Sequence, residues 1–368
     1  MTKPNLPSPF IVASLIVKNE AKTLPKLFES AEGLIDAWAI VDTGSTDGTM
    51  DVAVELGEKY GVTVAVLEDA WDDDFSRSRN VCLDFVDKTF AKAEWVFVMD
   101  ADDEVVGSDI LRTALEESYG DEDAVDVVSL RHVSRQADSD EIESVMHPWL
   151  FRRRLGLRFI YPVHMTLDFQ PLIETSEKPL LAGRIAGVSL RHTGYQDADH
   201  RKNNWLRALR IVRTKLPENH PHRLYCEVRS LAALGSLKEA ADIATKALTL
   251  HVKGEIVVPN TAFHLVLAQY LISEEGDAQE ALNVLCDALD VDDTNPDVWA
   301  NILMASTLGY MARSIMVAQG QPAMSVTAQK AGKILSAIDG SGLFAEPLPQ
   351  HALAALNNYS TYLNTLGQ

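Results

Sequence analysis

In the segment Trp95-Val-Phe-Val-Met-Asp-Ala-Asp-Asp-Glu104, an apolar run ends in a cluster of acidic residues. The apolar part is typical of a short buried strand. Asp100 and Asp102 follow at the point where the chain leaves the predicted sheet. Two carboxylates in this position suit a divalent cation that also binds phosphate oxygens, as Mg²⁺ does. The alternative is an acidic turn that binds nothing.

The sequence on either side of this segment alternates strand and helix signals. Alternation with short connections predicts an α/β domain, with a mostly parallel central sheet and helices on both faces. Ligands bind at the carboxyl ends of the strands in such sheets. The polar segments 42–47 and 100–104 lie at such ends. The predicted strands are Phe10–Val17, Ala37–Val41, Val62–Leu67 and Trp95–Met99, and the predicted helices are Asn19–Ala31, Thr49–Tyr60 and Arg77–Phe90.

Three further segments extend the α/β half. Asp126–His132 and Pro148–Phe151 are typical of short strands, and Phe159–Phe169 is a mixed segment that could run along the site.

The pattern changes to helices alone from about Asn203. Leu224–Leu250 and His264–Val291 resemble each other, and Gly235 and Gly276 stand 41 residues apart. This spacing exceeds the 34 residues of a tetratricopeptide unit, but the helix–turn–helix pattern is the same. Stacked helix pairs leave a concave face that often binds a partner. We therefore predict two domains, residues 1–200 and 201–368. Thr327–Ala337 and Gln350–Leu366 are predicted to continue the helical array.

Composition narrows the class of protein. The chain has 368 residues, 46% of them apolar and 23% charged, which is typical of a globular protein. Its formal net charge is −20, whereas binding nucleic acid through phosphates needs a basic face. Arg152, Arg153, Arg154 and Arg158 form a small basic patch that could serve a nucleotide diphosphate or an acidic partner. A nucleic-acid partner is disfavoured but not excluded.

Neither the cysteines nor the N-terminal residues have the pattern of a secreted, disulfide-bonded protein. Cys82, Cys226 and Cys286 have neither metal-ligand spacing nor a disulfide pattern, so we expect buried thiols. The apolar runs are too short to cross a bilayer. No secretory signal is apparent, so the expected location is cytoplasmic.

Two further motifs carry polar groups next to predicted helices. Asp42-Thr-Gly-Ser-Thr-Asp-Gly-Thr49 places glycines where backbone could approach a ligand, and Asp42 could accept hydrogen bonds from a base or ribose. Trp71-Asp-Asp-Asp-Phe-Ser-Arg-Ser-Arg-Asn80 carries Arg77 and Arg79, which could clamp a diphosphate. Ordinary helix capping and surface ion pairs are the alternatives.

The motifs together resemble glycosyltransferase family 2, which has the GT-A fold. The segments Ile16–Glu20, Val41–Thr49, Asp74–Asn80 and Asp100–Asp102 occur in the order and approximate spacing of that family.

A weaker similarity extends to about residue 205. It includes Phe159-Ile-Tyr-Pro-Val-His164, His192-Thr-Gly-Tyr195 and Lys202–Asn204. These segments are similar to the subgroup with C-terminal tetratricopeptide-like helices.

The resemblance implies a role for each matching residue. Asn19 and Glu20 would line the nucleotide pocket, Asp42 would contact uracil or another base, and Arg79 and Asn80 would line the donor site. Asp100 would face the ribose or the metal, and Asp102 would be the principal ligand of Mn²⁺ or Mg²⁺, with His192 completing the metal or phosphate site.

The catalytic base is where the chain departs from the family. The subgroup often has His-Glu where this chain has His164-Met165, so the expected glutamate is missing. His164 could be the base or a metal ligand, and Asp168 could be a displaced carboxylate. The base and the stereochemical outcome stay open, although family members usually invert the anomeric carbon.

The predicted function is metal-dependent transfer of a sugar from a nucleotide-sugar donor, with UDP preferred. The acceptor could be a protein, a saccharide or another molecule bound with help from the helical domain. A catalytically degenerate transferase domain serving as a helical-repeat adaptor is the alternative. Nucleotidylyl transfer fits less well, because Val12–Glu20 lacks a glycine- and arginine-rich phosphate loop.

Overall fold

The computed structural model describes residues 10–117, 125–135, 142–175, 178–192, 198–258, 260–275 and 277–292, together with residues 298 and 301. The chain divides into two compact units, Met1–Asn203 and Asn204–Gln368. The predicted helices at Thr327–Ala337 and Gln350–Leu366 lie outside the described residues.

The described part of the first unit is an α/β structure. Its strands are β1 (Ile11–Val17), β2 (Ala37–Asp42), β3 (Thr63–Glu68), β4 (Trp95–Val98), β5 (Asp103–Val106), β6 (Val127–Arg135), β7 (Ile142–Arg152), β8 (Phe159–Ile160), β9 (Thr166–Leu167), β10 (Ala182–Gly183) and β11 (Ser189–His192). Its helices are α1 (Leu24–Ser30), α2 (Thr49–Tyr60), α3 (Phe75–Thr89), α4 (Ser108–Glu117) and α5 (Gln170–Thr175).

The strands form a large mixed sheet in the order β3-β2-β1-β4-β7-β6-β11-β5, with β10 beside β6. The pairs β1–β2, β2–β3, β1–β4, β6–β11 and β6–β10 are parallel. The pairs β4–β7, β6–β7 and β5–β11 are antiparallel. The prediction of an α/β domain with a mostly parallel sheet is confirmed. β8 and β9 form a separate antiparallel hairpin.

Apolar layers on opposite faces of the sheet explain this architecture. Trp38 and Ile40 of β2 pack with the buried residues of α1, α2 and α4, whereas Ala39 and Val41 pack with those of α3. Successive strand residues point to opposite faces, so a strand buried on both faces must be apolar throughout. This requirement explains the continuous apolar runs of β1 and β2.

The helix α1 begins at Leu24, five residues later than predicted. Asn19 has a φ of +59° and so cannot start a right-handed helix. Conversely, α3 begins at Phe75, earlier than the predicted Arg77. The carboxylate of Asp74 caps α3 by accepting a hydrogen bond from the amide of Arg77 at 2.9 Å.

The described part of the second unit is helical. Its helices are α6 (Ala198–Lys215), which contains the boundary between the units, α7 (Pro221–Ala233), α8 (Leu237–Val252), α9 (Ala262–Tyr270) and α10 (Ala278–Leu289). A tight turn at Gly235, with a φ of +81°, joins α7 to α8.

The two similar helical segments bury the same kind of residue. Ala240 and Ala247 in the first segment and Ala281 and Ala288 in the second are all fully buried. Small side chains at these positions let neighbouring helices approach closely. The predicted helical character is confirmed for the described residues.

Two further expectations have clear outcomes. Cys82 and Cys226 are buried as predicted, but Cys286 is exposed on α10, and the prediction was wrong for that residue. The helix periodicity of α10 places Cys286 away from the buried row of Ala281, Leu285 and Ala288.

Among the described helices, none has both the length and the apolar character needed to cross a bilayer.

Candidate active site

The loops that follow β1 and β2 hold each other in place. The carboxylate of Asp42 accepts hydrogen bonds from Gly44 N at 3.2 Å, Ser45 N at 2.9 Å and Ser45 Oγ at 2.7 Å. Ser45 Oγ also accepts a hydrogen bond from Asn19 N at 2.9 Å, and Asn19 Oδ1 accepts one from Thr46 N at 2.8 Å. Asp42 and Asn19 therefore belong to one interlocked pair of loops.

Glu20 is tied to the start of α2. Its amide donates to Thr49 Oγ1 at 2.8 Å, and its carboxylate accepts a hydrogen bond from Thr23 Oγ1 at 2.6 Å. The neighbouring Ala21 N donates to Asp47 Oδ2 at 3.2 Å. These contacts fix the backbone on both sides of Glu20.

The strand order brings three of the predicted motifs to one edge of the sheet. β2, β1 and β4 are adjacent and parallel, so their carboxyl ends share that edge. The chain moves outward from β1 to β2 and β3, and then returns to the other side of β1 with β4. This reversal creates a crevice between β1 and β4, the usual ligand position in open α/β sheets. Asn19 and Glu20 follow β1, and Asp100 and Asp102 follow β4.

The acidic turn after β4 is organised by Asp103. The Asp103 side chain is fully buried, and its Oδ2 accepts a hydrogen bond from Asp100 N at 2.8 Å. The side chains of Asp100 and Asp102 retain partial exposure, at 33% and 22%. The turn therefore buries one carboxylate and leaves two accessible from the crevice.

Two histidines from neighbouring strands meet the Asp103 carboxylate. His192 ends β11 and lies opposite Asp103 of β5, while His132 comes from β6 on the other side of β11. Asp103 Oδ1 lies 2.9 Å from His132 Nε2 and 3.1 Å from His192 Nδ1. Asp102 Oδ1 lies 3.4 Å from the same His192 Nδ1. Three strands thus bring four side chains together.

The electrostatics of this cluster are strongly perturbed. Burial alone would raise the pKa of Asp103, but hydrogen bonds from His132 and His192 lower it to about 2. Burial would lower the pKa of His192, but the hydrogen bond to Asp103 and the charges of Asp102 and Asp100 raise it to about 9. Burial, helped by the charges of Asp100 and Asp103, raises the pKa of Asp102 to about 7, although His192 opposes it. These shifts arise because neighbouring carboxylates and imidazoles share one partly buried cluster.

These side chains fit a divalent metal ion. Ligand atoms of Asp100, Asp103, His132 and His192 all lie within 4.8 Å of one another. Carboxylate oxygens and imidazole nitrogens are ordinary ligands of divalent cations. Of the predicted metal ligands, Asp100 and His192 are in this group, and Asp102 lies beside it.

Arg79 lies beneath the acidic turn and not on its surface. Its side chain is 1% exposed, and one guanidinium nitrogen is ion-paired with the carboxylate of Asp100. The other terminal nitrogen donates to the carbonyl of Met99 at 2.8 Å, and the guanidinium lies 5.8 Å from the ring centroid of Trp149. These contacts let Arg79 orient Asp100, whereas the sequence suggested that it would line the donor site.

Asn80 contacts the β8–β9 hairpin. Its Nδ2 donates to the carbonyl of Phe159 at 2.9 Å, and its Oδ1 accepts the amide of Phe159 at 2.8 Å. Five residues earlier on the same helix, Phe75 N donates to the carbonyl of Pro162 at 2.8 Å. The start of α3 therefore holds the hairpin and its loop, and both polar groups of Asn80 are used in doing so.

The hairpin loop carries the predicted catalytic base. Tyr161 and His164 have φ values of +73° and +48°, which non-glycine residues seldom adopt. Met165 packs against the apolar layer that contains α3. Asp168 Oδ1 accepts a hydrogen bond from Gln170 N at 3.1 Å at the start of α5.

The predicted arginine clamp and basic patch are engaged in ion pairs with acidic residues. Arg77 pairs with Asp69 and, at 3.8 Å, with Asp72. In the patch, Arg152 lies 4.3 Å from the ring centroid of Trp95 and 3.9 Å from the carboxylate of Glu94, and the other three arginines also contact carboxylates. The pairs are Arg153–Asp87 at 3.1 Å, Arg154–Asp126 at 2.5 Å, Arg158–Asp84 at 2.7 Å and Arg158–Asp87 at 2.9 Å. These arginines are therefore paired within the protein, and phosphate binding by them stays a prediction.

Asp103 and His132 belong to the candidate metal site, although neither was predicted from the sequence. Asp103 is the third aspartate of the acidic run, so its residue type and position could have indicated a third candidate ligand. His132 lies in an ordinary strand pattern, and only the pairing of β6 with β11 brings it to the cluster. Behind it, His147 stacks on Trp149 at 4.3 Å, and burial lowers the pKa of His147 to about 4.

Residues 14–173 match the sequence profile of Glycosyl transferase family 2. Among curated proteins, the chain is 28% identical over 215 residues to a TPR repeat-containing protein of Synechococcus elongatus, covering 57% of this chain and 49% of that protein. It is 24% identical over 260 residues to the SPbeta prophage-derived glycosyltransferase SunS of Bacillus subtilis, covering 67% of this chain and 55% of that protein. The chain thus spans about half the length of the curated relatives it matches.

Solved structures give more distant similarities. Staphylococcus aureus TarS 1-349 is 16% identical with a TM-score of 0.38, covering 85% of this chain and 92% of that one. Glucosyl-3-phosphoglycerate synthase from Mycobacterium tuberculosis, in complex with Mg²⁺ and uridine-diphosphate, is 15% identical with a TM-score of 0.33, covering 57% of this chain and 81% of that one.

Proposed function

We propose that the glycosyltransferase family 2 domain of residues 14–173 transfers a sugar from a nucleotide-sugar donor, with UDP as the nucleotide and a divalent metal ion as cofactor. One observation carries this proposal. The residues after β1, β2 and β4 meet at the edge of the sheet beside the crevice between β1 and β4, where an α/β sheet binds its ligand. Polar groups suited to a base, a ribose and a metal-bound diphosphate are therefore side by side.

The nucleotide would lie across the loops after β1 and β2. Asp42, Asn19 and Glu20 supply the carboxylate and amide groups that could bind the base and ribose. The hydrogen bonds between Asn19, Asp42 and Ser45 hold these groups in place before a ligand arrives. Such preorganisation lowers the entropic cost of binding.

The diphosphate would lie at the acidic turn after β4. Asp100, Asp102 and His192 would hold the metal ion, and Arg79 would keep the Asp100 carboxylate in position. A bound divalent cation stabilises negative charge on a departing diphosphate. The protein contributes a fixed set of ligands and a partly buried crevice in which electrostatic interactions are strong.

The loop of the β8–β9 hairpin would supply the catalytic base. We favour His164 over Asp168, because Asp168 already caps α5 through Gln170 N. The loop is held at the start of α3 by Phe75, and Arg79 of the same helix contacts the acidic turn, which supports this assignment. His164 would take the proton of the acceptor hydroxyl as that oxygen attacks the anomeric carbon, which gives inversion.

The acceptor and the role of the second unit complete the proposal. We propose a catalytic domain at residues 1–200 and a tetratricopeptide-like domain at residues 201–368 that helps to bind a protein or glycan acceptor. The helix pairs of the described second unit and the similarity to a TPR repeat-containing protein support this division. A concave helical face suits a peptide better than a small sugar.

Donor hydrolysis tests this function. The purified chain with UDP-glucose and Mn²⁺ should release UDP slowly, and Asp102→Ala should abolish the release. Asp109→Ala is the matched control, because Asp109 is exposed on α4. A panel of nucleotide sugars, scored by thermal shift, would identify the donor. No UDP release with any donor, together with no nucleotide binding, would contradict the proposal.

One observation favours the alternative of a helical-repeat adaptor. Met165 occupies the position at which the subgroup often has a glutamate, and it packs against the core. An adaptor would retain the fold and bind its partner through the helical unit without binding a donor. Nucleotide binding therefore separates the two functions.

A further inference from the structure

We propose that the metal site is a two-histidine site in which His132 and Asp103 join Asp100, Asp102 and His192 as ligands, so that it prefers a transition metal to Mg²⁺. The proposal concerns the metal site of the proposed function and rests on that function only for the use of the ion in transfer. His132 and Asp103 lie outside the Asp100–Asp102 pair that first indicated a metal.

The distances between ligand atoms support this arrangement. A metal bound to nitrogen and oxygen at about 2.0–2.2 Å has its tetrahedral or octahedral ligand atoms about 3.0–3.4 Å apart. Asp103 Oδ1 lies 2.9 Å from His132 Nε2 and 3.1 Å from His192 Nδ1. His192 Nδ1 lies 3.4 Å from Asp102 Oδ1. Small movements of these side chains would therefore suffice to admit an ion.

The charge of the cluster also calls for a cation. Asp100, Asp102 and Asp103 are consecutive acidic side chains of one turn, and none is more than 33% exposed. Arg79 is paired with Asp100, whereas the carboxylates of Asp102 and Asp103 face the two imidazoles. Buried carboxylates are costly unless they are paired or bind a metal. A divalent cation in place of the imidazole protons would pair with both carboxylates and bind both imidazoles in their neutral form.

The framework around the imidazoles is rigid. His132 and His192 come from the adjacent paired strands β6 and β11, and their rings lie 4.9 Å apart. His147 and Trp149 lie behind His132, with ring centroids at 5.5 Å and 5.8 Å from it. Ligands held by strands and packed rings form a metal site of defined geometry.

Two imidazoles would decide which ion is preferred. Imidazole suits transition metals, whereas Mg²⁺ prefers oxygen ligands. Affinity for a nitrogen and oxygen site rises from Mn²⁺ to Co²⁺. We therefore expect Co²⁺ to bind at least about tenfold more tightly than Mg²⁺, with Mn²⁺ between them.

The first experiment needs no variant. The full chain is loaded with Mn²⁺ alone, and pulsed EPR counts the imidazole nitrogens bound to the ion. Two histidine nitrogens are expected. One nitrogen or none would overturn the proposal, because His132 or His192 would then lie outside the metal's ligand sphere.

The second experiment removes His132. His132→Gln should lose one nitrogen signal and weaken Co²⁺ binding by at least about tenfold, with a smaller effect on Mg²⁺. His251→Gln is the matched control, because His251 lies on α8 and is not in the ligand group. Circular dichroism checks that both variants fold. An unchanged nitrogen count in folded His132→Gln would contradict the proposal.

This test is separate from that of the proposed function. If two imidazoles bind the ion but no donor is hydrolysed or bound, the proposed function fails and the two-histidine site stands. If donor hydrolysis depends on metal but only one imidazole is bound, the function stands and this inference fails.

Discussion

The buried guanidinium of Arg79 is ion-paired with the carboxylate of Asp100, which joins helix α3 to the acidic turn after β4. A hydrogen bond from Arg79 to the carbonyl of Met99 fixes the end of β4 in the same way. The sequence suggested that Arg79 would line the donor site, whereas in the structure Arg79 holds the carboxylate of Asp100 in position.

This support has a measurable effect on stability. Removing one partner of a buried ion pair costs about 3–5 kcal/mol, and less where the other partner is part-exposed, as Asp100 is. We expect Arg79→Met to lower the free energy of unfolding by about 2–3 kcal/mol in urea titrations. Arg77→Met is the control on the same helix, because its ion pairs are at the surface and should contribute no more than about 1 kcal/mol. Equal effects of the two substitutions would contradict the supporting role of Arg79.

Asn80 provides a test of how the hairpin loop is held. Asn80→Ala removes two hydrogen bonds to Phe159 and should misplace the loop that carries His164. We expect a fall in turnover of about tenfold or more, with UDP affinity changed by less than about twofold. Asn283→Ala, on an exposed site of α10, is the control. A loss of UDP affinity that matches the loss of turnover would place Asn80 in the donor site instead.

The left-handed backbone at Asn19 predicts which of two substitutions at this position destabilises the protein more. Asn19→Gly loses the hydrogen bond to Thr46 N but keeps the backbone conformation, whereas Asn19→Ala loses both. The alanine variant should be less stable than the glycine variant by about 1 kcal/mol in urea unfolding. Equal stability of the two variants would mean that the loop does not need the positive φ.

The cysteines predict a pattern of alkylation. Burial raises the pKa of Cys82 to about 11 and that of Cys226 to about 12, so at pH 8 both remain thiols and are shielded. Iodoacetamide should modify Cys286 in the native protein, and all three cysteines after denaturation. Mass spectrometry of peptides from the two samples gives the result. Rapid modification of native Cys82 would contradict the packing of α3 on the sheet.

The sequence predicted the fold well where periodicity is strong. The apolar runs of β1, β2 and β4 and the helical patterns of α2 and α3 are local properties, so these elements and a mostly parallel sheet could be predicted, whereas the order of the strands was not. The start of α1 was predicted too early because the hydrogen bonds of Asn19 and Glu20 to the loop after β2 are not local.

The site was predictable only in part for the same reason. Asp100 and Asp102 could be predicted as candidate site residues, because they directly follow an apolar strand. Arg79, in contrast, looks like a surface arginine in a polar motif, and only the packing of α3 against β1 and β4 turns it inward. His132 joins Asp103 because β11 lies between β6 and β5, a pairing over long sequence distances that no local pattern encodes.

The most direct test of the central claim measures UDP binding by titration calorimetry with and without Mn²⁺. The native chain and Asp109→Asn should bind UDP only when Mn²⁺ is present, and Asp102→Asn should lose this binding by about a hundredfold or more. UDP binding of equal strength without the ion, or native affinity in Asp102→Asn, would contradict a nucleotide-sugar site built on the acidic turn.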